Sequence, residues 1–222
     1  MATLFLVRHA QASFDAAADD ALSPLGQRQS VQLGRHFAAR QQRFDMTLSG
    51  TRHRHTQTLA GVSEGMGTTL KAQTWPGLDG YDSQKLMATV HPEPLPDASP
   101  AGLFGQQARL LRQVLLQWML GRDQPVGLPP WADFRQGVME VLTQVQASGA
   151  DNVLLVSSGG PIACAIGQVL ATPPAATVEL NLRLRHTSVT EFAFDPGHLA
   201  LQTYNTLPHL DSIEFDSWIT HG

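Results

Sequence analysis

The stretch LFLVRHAQASF (residues 4–14) decides how the rest of this chain is interpreted. Its first four residues form a continuous apolar run, which is typical of a strand buried on both faces of a sheet. The run stops at Arg8 and His9 and then passes into small and polar residues. In open α/β sheets, ligands bind beyond the carboxyl ends of the strands. We therefore expect Arg8 and His9 to lie at a binding site on one edge of a sheet.

Strand-like and helix-like segments alternate along the chain. Ser23 and Pro24 are typical of a helix start, with Ser as N-cap and Pro in the first turn, and this helix runs to about residue 40. The apolar patterns predict further strands at 44–49, 69–75 and 152–156, further helices at 51–62, 131–147 and 161–170, and a hairpin of 187–194 with 198–204. This order predicts an α/β fold, a three-layer α/β/α sandwich with a mostly parallel central sheet.

Two proline-rich segments interrupt this order, VHPEPLPDASP (90–100) and GRDQPVGLPP (121–130). Proline excludes regular helix interiors and central strands, so these segments flank a separate predicted helix near 106–120. We interpret residues 80–128 as a cap inserted within a single domain that spans residues 1–222. The Leu- and Trp-rich run at 110–120 fits either packing inside the chain or a homodimer face, and the sequence leaves both open.

The composition excludes several classes of protein. The chain has 222 residues, with 15 Lys plus Arg against 19 Asp plus Glu, and its net charge is −4. It has no basic run of the kind that nucleic-acid surfaces need, and no apolar window as long as a membrane span. We expect no nucleic-acid or membrane partner. No signal peptide is visible and Cys164 is the single cysteine, so we expect a cytoplasmic protein.

Three predicted strand ends carry residues suited to phosphate chemistry. Arg8 and His9 follow the first strand, the run RHRH (52–55) lies in the helix after the second, and a Ser-Ser-Gly-Gly turn opens the helix after the strand at 152–156. Arginine binds phosphate in a bidentate manner, and a helix start rich in glycine offers N–H groups to an anion. A neutral histidine is a competent nucleophile. Together these residues predict attack by a ring nitrogen on a phosphoryl group.

The order of these segments resembles that of the histidine phosphatase (phosphoglycerate mutase-like) superfamily. LFLVRHAQASF is similar to the family's Arg-His-Gly signature, and the remaining segments follow in register: LSPLGQRQSVQLG (22–34), LSGTRHRHTQTLAG (48–61), VLLVSSGGPI (153–162), RHTSVTEFAF (185–194) and YNTLPHL (204–210). The resemblance covers nearly the whole chain. It implies the α/β fold expected above and a phosphomonoesterase that acts without a metal or organic cofactor.

The resemblance also implies roles for particular residues. His9 attacks phosphorus and forms a phosphohistidine, while Arg8 and Arg54 hold the phosphoryl oxygens; Arg52 is a rival for the role of Arg54. An acidic side chain after the edge strand protonates the leaving oxygen. Further contacts to phosphate or substrate are expected from a larger set of residues: Gln11, Ser13, Ser158, Gly159 and His186. The neighbouring His53 and His55 are expected at the surface or at the rim of the site.

The sequence departs from the family pattern at four positions. Ala10 replaces a glycine, which costs about 1 kcal/mol if the position needs a positive φ and nothing otherwise. Asp15 stands where mutase-like members carry an asparagine, and its charge would repel phosphate. Ser158 replaces the second histidine of the family, which we interpret as the trait of a subgroup with Ser-Gly-Gly here. Gly80 stands where a glutamate is expected.

The missing glutamate leaves the general acid open. Asp82 is the nearest replacement and Asp79 the next. The leading hypothesis is a phosphomonoesterase, acting on a small phosphorylated substrate or a phosphoprotein. The alternative is a catalytically silent member that binds phosphoryl groups, because Gly80 and Ser158 both replace catalytic residues. A phosphoglycerate mutase is less favoured because of Asp15.

Overall fold

A computed structural model of the chain describes residues 1–13, 20–89, 100–122 and 124–221. Six strands form one sheet: β1 (Ala2–Arg8), β2 (Met46–Ser49), β3 (Gln73–Thr74), β4 (Asn152–Ser157), β5 (Val189–Asp195) and β6 (His198–Thr206). Their order across the sheet is β3-β2-β4-β1-β5-β6. The neighbouring strands β3, β2, β4 and β1 are parallel, and β5 is antiparallel to both β1 and β6. The predicted α/β fold with a mostly parallel sheet is confirmed.

The register of the sheet brings the predicted strand ends to one edge. Arg8, the last residue of β1, pairs with Ser157, the last residue of β4. Ser49 at the end of β2 pairs with Val156 of β4. β5 runs the other way, so its beginning, next to His186, meets the same edge. β3 is shorter than the predicted strand at 69–75, because only Gln73 and Thr74 pair with β2.

Helices cover both faces of the sheet. They are α1 (Pro24–Ala39), α2 (His53–Met66), α3 (Ser83–Ala88), α4 (Pro100–Met119), α5 (Trp131–Ala147), α6 (Gly159–Val169) and α7 (Pro174–Arg183). Alternate residues of β4 point to opposite faces, as in any strand. Leu154 and Val156 pack with α1 and α2, while Val153 and Leu155 pack with α5 and α6. This alternation gives the three layers that the sequence predicted.

The segment at 80–128 contributes helices and, among its described residues, no strand of the sheet. Val114, Leu115 and Trp118 of α4 pack with Leu86 of α3 and Val178 of α7. These three side chains of the Leu- and Trp-rich run are buried within the chain, whereas Leu120 of the same run is 43% exposed. The homodimer face stays a prediction. Neither α3 nor α7 was predicted from the sequence, and the prolines at 92–96 lie outside the described residues. None of the described helices has both the length and the apolar character needed to cross a membrane.

Replacing Val153 by Ala tests the packing of the central strand. Val153 is fully buried, and losing two methyl groups there is expected to lower the free energy of unfolding by about 2–3 kcal/mol. Val126 is 87% exposed and serves as the matched control, since Val126→Ala should change it by less than about 0.5 kcal/mol. Urea unfolding measures both. Equal midpoints for the two variants would contradict the assigned core.

Candidate active site

A cavity of about 260 Å³ opens at the edge of the sheet where the strand ends meet. Eight of the nine site residues expected from the sequence line it: Arg8, His9, Gln11, Ser13, Arg54, Ser158, Gly159 and His186. Asp82 is the exception. The cavity also receives side chains that the sequence analysis did not single out, among them Tyr81, Asn181 and His221.

His9 is held in one orientation by its own loop. Its backbone N–H donates to the Ser157 carbonyl at 2.8 Å, which joins the end of β1 to the end of β4. The ring Nδ1 lies 2.8 Å from the Ala10 carbonyl oxygen. A carbonyl only accepts hydrogen bonds, so Nδ1 carries the proton and Nε2 keeps its lone pair. Burial, together with the charges of Arg8 and Arg54, holds the pKa of His9 well below its ordinary value. The ring is therefore neutral and able to act as a nucleophile.

Ala10 fits its position without backbone strain. Among the described residues, the non-glycine positions with positive φ do not include Ala10, so no left-handed backbone is required there. The backbone N–H of Ala10 donates to Thr58 Oγ1 at 3.0 Å, and this hydroxyl donates to the Arg54 carbonyl at 2.7 Å. The family's glycine is thus dispensable here, and Thr58 ties the His9 loop to α2.

The two arginines approach the cavity from different elements. Arg8 ends β1 and donates to the Leu184 carbonyl; burial lowers its pKa to about 10, so it stays protonated at neutral pH. Arg54 lies in the first turn of α2, where one guanidinium nitrogen pairs with Asp20 and the other lies 3.5 Å from Ser158 Oγ. Arg52 is exposed and does not line the cavity, so the structure favours Arg54 over this rival.

Ser158 is the N-cap residue of α6, yet its hydroxyl does not cap the helix. The Ser158 Oγ lies 2.8 Å from His55 Nε2 instead. The predicted place of His55 at the surface or the rim is wrong, because its side chain is fully buried behind Ser158. Its neighbour His53 is exposed, as expected. The first-turn N–H groups of α6 have no partners within the helix, and Gly159 and Gly160 line the cavity.

A carboxylate stands behind His55. The His55 Nδ1 lies 3.6 Å from Asp79 Oδ1, and Asp79 also accepts hydrogen bonds from the backbone N–H and the hydroxyl of Thr51, at 2.7 and 2.5 Å. Partial burial raises the pKa of Asp79, but the nearby His55 ring and the hydrogen bonds from Thr51 outweigh it and hold the pKa below its ordinary value. A Cβ on Gly50 would lie 2.1 Å from His55 Nδ1 and 2.7 Å from Asp79 Oδ1, so only glycine leaves room for this pair.

Neither candidate for the general acid, Asp82 or Asp79, lines the cavity. A Cβ on Gly80 would lie 2.6 Å from Ser158 Cβ, which leaves no room for the family's glutamate in this arrangement. Asp82 caps α3, where its carboxylate accepts from the N–H groups of Gln84 and Lys85 at 3.0 and 3.1 Å. The structure therefore gives Asp82 a capping role instead of the predicted place at the site. Among the described residues that line the cavity there is no Asp or Glu.

The C-terminal segment closes one side of the site. The His186 Nδ1 lies 2.9 Å from Thr220 Oγ1, and Gln29 donates to this same hydroxyl at 3.0 Å. The Gln29 Oε1 accepts from the Gln11 backbone N–H at 2.9 Å, so one side chain of α1 joins the His9 loop to the end of the chain. His221 lines the cavity from this segment. The sequence holds no local signal for this placement, since it depends on contacts between distant residues.

On the opposite wall, Tyr81 packs edge-on against Trp118 and accepts a hydrogen bond from the Asn181 amide. Burial raises the pKa of Tyr81 to about 12, so its hydroxyl is neutral at physiological pH. No group of three or more His, Cys, Asp or Glu side chains suited to a metal ion occurs within the described part of the chain.

Comparison with known proteins identifies the family of this chain. The family model of the histidine phosphatase superfamily (branch 1) matches residues 4–93 and 102–207. The chain belongs to this superfamily. No curated protein sequence matches the chain significantly.

Several solved structures share the fold. A phosphoserine phosphatase from Entamoeba histolytica, in complex with phosphoserine, is 19% identical with a TM-score of 0.62, covering 95% of this chain and 100% of that one. A putative α-ribazole-5′-P phosphatase from Escherichia coli is 18% identical with a TM-score of 0.64, covering 93% and 97%. The protein histidine phosphatase SixA, complexed with tungstate, is 14% identical with a TM-score of 0.59, covering 94% and 99%.

The buried imidazoles make the fold sensitive to acid, and His209 offers a test outside the cavity. His209 Nε2 lies 2.9 Å from Thr187 Oγ1, and burial lowers its pKa from 6.5 to about 3. His209 therefore takes up a proton near pH 6.5 in the unfolded chain, whereas in the folded chain it stays neutral at that pH. The stability that neutral His209 contributes is fully present above that pH and is lost as the pH falls toward 3.

We expect His209→Gln to remove one such contribution to the pH dependence. The free energy of unfolding should fall between pH 6.5 and pH 5 by about 2 kcal/mol less in this variant than in the wild type. Urea unfolding at the two pH values measures the difference. His53→Gln, at an exposed position of α2, is the control and should keep the wild-type loss. An unchanged loss in His209→Gln would contradict the burial of a neutral ring.

Proposed function

We propose that this protein is a phosphomonoesterase that hydrolyses its substrate through a phosphohistidine on His9. The observation that carries the proposal is the fixed tautomer of His9, whose Nε2 lone pair is free in a cavity that Arg8 and Arg54 also line. Membership of the histidine phosphatase superfamily and the phosphatases among the structural neighbours support it. The Ser-Gly-Gly turn at Ser158 stays a predicted subgroup trait.

In the proposed reaction, His9 Nε2 attacks phosphorus while the bond to the leaving oxygen breaks. The guanidinium groups of Arg8 and Arg54 and the N–H groups at the start of α6 stabilise the charge on the three remaining phosphoryl oxygens. Water then attacks the phosphohistidine and returns His9 to its neutral state. These steps use side chains and backbone groups alone and call for no metal ion or organic cofactor.

The substrate is a phosphate ester whose phosphoryl group enters between the arginines and His9. The cavity of about 260 Å³ fits a phosphoryl group with a small leaving group. Ser83, Leu111 and Leu182 line both this cavity and an adjoining groove, so a longer leaving group has a path out of the site. A small phosphorylated metabolite and a phosphorylated side chain of another protein both fit this description.

One observation favours the second candidate, a silent phosphoryl-binding protein. No carboxylate lines the cavity within the described part of the chain, so the family's general acid has no direct replacement. A phosphoglycerate mutase stays the least favoured hypothesis; Asp15, on which that judgement depended, lies outside the described residues.

The His9→Ala variant separates the first two functions. Hydrolysis of p-nitrophenyl phosphate and acetyl phosphate should be lowered by at least about 10³-fold, because His9 supplies the nucleophile in the proposed reaction. Phosphate release measures the rate, and His53→Ala, on the exposed face of α2, should keep it. Binding of vanadate without turnover in wild type and variant alike would support the silent protein and overturn the phosphatase.

Replacing Arg54 by Lys tests which arginine of α2 acts on the phosphoryl group. Lysine keeps the charge but loses the planar fork, so kcat/KM for p-nitrophenyl phosphate should fall by about 10²-fold. Arg52→Lys is the matched control, since Arg52 is exposed and does not line the cavity. Steady-state kinetics compares the two. An equal effect of both substitutions would contradict the assignment.

A further inference from the structure

We propose that Ser158, His55 and Asp79 form a proton relay that protonates the leaving oxygen. The relay takes the place of the family's glutamate, at whose position this chain has Gly80. This inference rests on the proposed phosphatase function and goes beyond it by naming the source of the proton. Ser158 would touch the substrate and act as a catalytic residue. His55 and Asp79 would act through it, as positioning residues.

The geometry of the three side chains carries the proposal. Ser158 lines the cavity beside His9, and its Oγ lies 2.8 Å from His55 Nε2. The other ring nitrogen of His55 lies 3.6 Å from Asp79 Oδ1. The hydroxyl, the ring and the carboxylate therefore follow one another from the cavity into the protein. The rings of His9 and His55 are 5.6 Å apart, so the relay reaches the same site as the proposed nucleophile.

The surroundings are built around these contacts. Gly50 leaves space for the meeting of His55 and Asp79, and Gly80 leaves space for Ser158. The His55 ring is fully buried, and its Nδ1 has no hydrogen-bond partner within 3.5 Å, which leaves Asp79 as the nearest acceptor. An ordinary packing role would be served by an apolar side chain at lower cost, because a buried imidazole loses its hydration.

The proposed step balances as follows. In the donating form, His55 carries a proton on each ring nitrogen. Burial lowers the pKa of His55, and the Asp79 carboxylate beside it opposes this shift and stabilises the charged ring. As His9 Nε2 bonds to phosphorus, the ester P–O bond breaks and its electron pair stays on the leaving oxygen. Ser158 gives its hydroxyl proton to that oxygen and takes the Nε2 proton of His55, which becomes neutral.

The second half of the cycle restores the relay. Water attacks the phosphohistidine, and the P–N bond breaks with its electron pair returning to His9 Nε2. The water gives a proton to Ser158 Oγ, and the Ser158 proton moves to His55 Nε2. His55 is then again the imidazolium that the next turnover needs, so one proton serves both halves without an added acid.

Leaving groups of different basicity test the relay. An alkoxide must be protonated as it leaves, whereas 2,4-dinitrophenolate leaves without a proton. We expect Ser158→Ala, His55→Gln and Asp79→Asn to lower kcat/KM by about 10²-fold for the alkyl phosphate that the wild type hydrolyses fastest among phosphoserine, 3-phosphoglycerate and glycerol phosphate. The same variants should change kcat/KM for 2,4-dinitrophenyl phosphate by less than about 5-fold, because loss of this leaving group does not need the acid and kcat/KM does not include the later hydrolysis of the phosphohistidine.

Controls separate this effect from a structural one. His53→Gln is the matched control for His55→Gln, because both residues lie in the first turn of α2 and His53 is exposed. Vanadate binding should be retained in every variant, which shows an intact phosphoryl site. Ser158→Ala removes a single oxygen and serves as the variant least able to disturb folding.

The outcomes distinguish the relay from the function on which it rests. An equal loss for both leaving groups overturns the relay and leaves the phosphatase standing, as does a wild type that hydrolyses the dinitrophenyl ester but no alkyl phosphate. A leaving-group-selective loss in Asp82→Asn or Asp20→Asn, without one in His55→Gln, also overturns it. A wild type that hydrolyses neither ester overturns the proposed function and the relay together.

Discussion

The parallel pairing of β1 with β4 is the constraint on which the site depends. It places Arg8 opposite Ser157, the last residues of the two strands. The residues that follow them, His9 and Ser158, then line the same cavity. A shift of one residue would turn each side chain to the opposite face of the sheet. The apolar alternation of both strands, with one set of side chains against α1 and α2 and the other against α5 and α6, excludes such a shift.

Burial sets the charge state of the site. The cavity holds two guanidinium groups, and the imidazoles of His9, His55 and His186 all have pKa values below the ordinary range because they are buried beside those cations. A neutral His9 ring next to fixed positive charges is what an incoming phosphate dianion and an attacking nitrogen need. The charge of Arg54 is partly offset by Asp20, which approaches it from the loop before α1.

The sequence was sufficient for the fold and for most of the cavity, because both depend on local patterns. Apolar runs that end in polar residues located β1, β2 and β4, and Arg8, His9 and Ser158 follow directly from those ends. The misplaced residues depend on distant contacts. His55 looks exposed beside His53 and Arg52, and its burial follows only from the positions of Gly50, Asp79 and Ser158. Asp82 looks like an acid beside Gly80, but it precedes α3, a short helix that the sequence did not indicate, and it caps that helix.

The most direct test of the account is to find the atom that carries the phosphoryl group during turnover. Acid-free quenching of the protein with 2,4-dinitrophenyl phosphate, followed by peptide mass spectrometry and ³¹P NMR, locates it. We expect an acid-labile phosphoryl group on His9 Nε2, absent from His9→Ala. An acid-stable phosphoryl group on the Ser158 hydroxyl, which His55 and Asp79 are equally placed to activate, would contradict it.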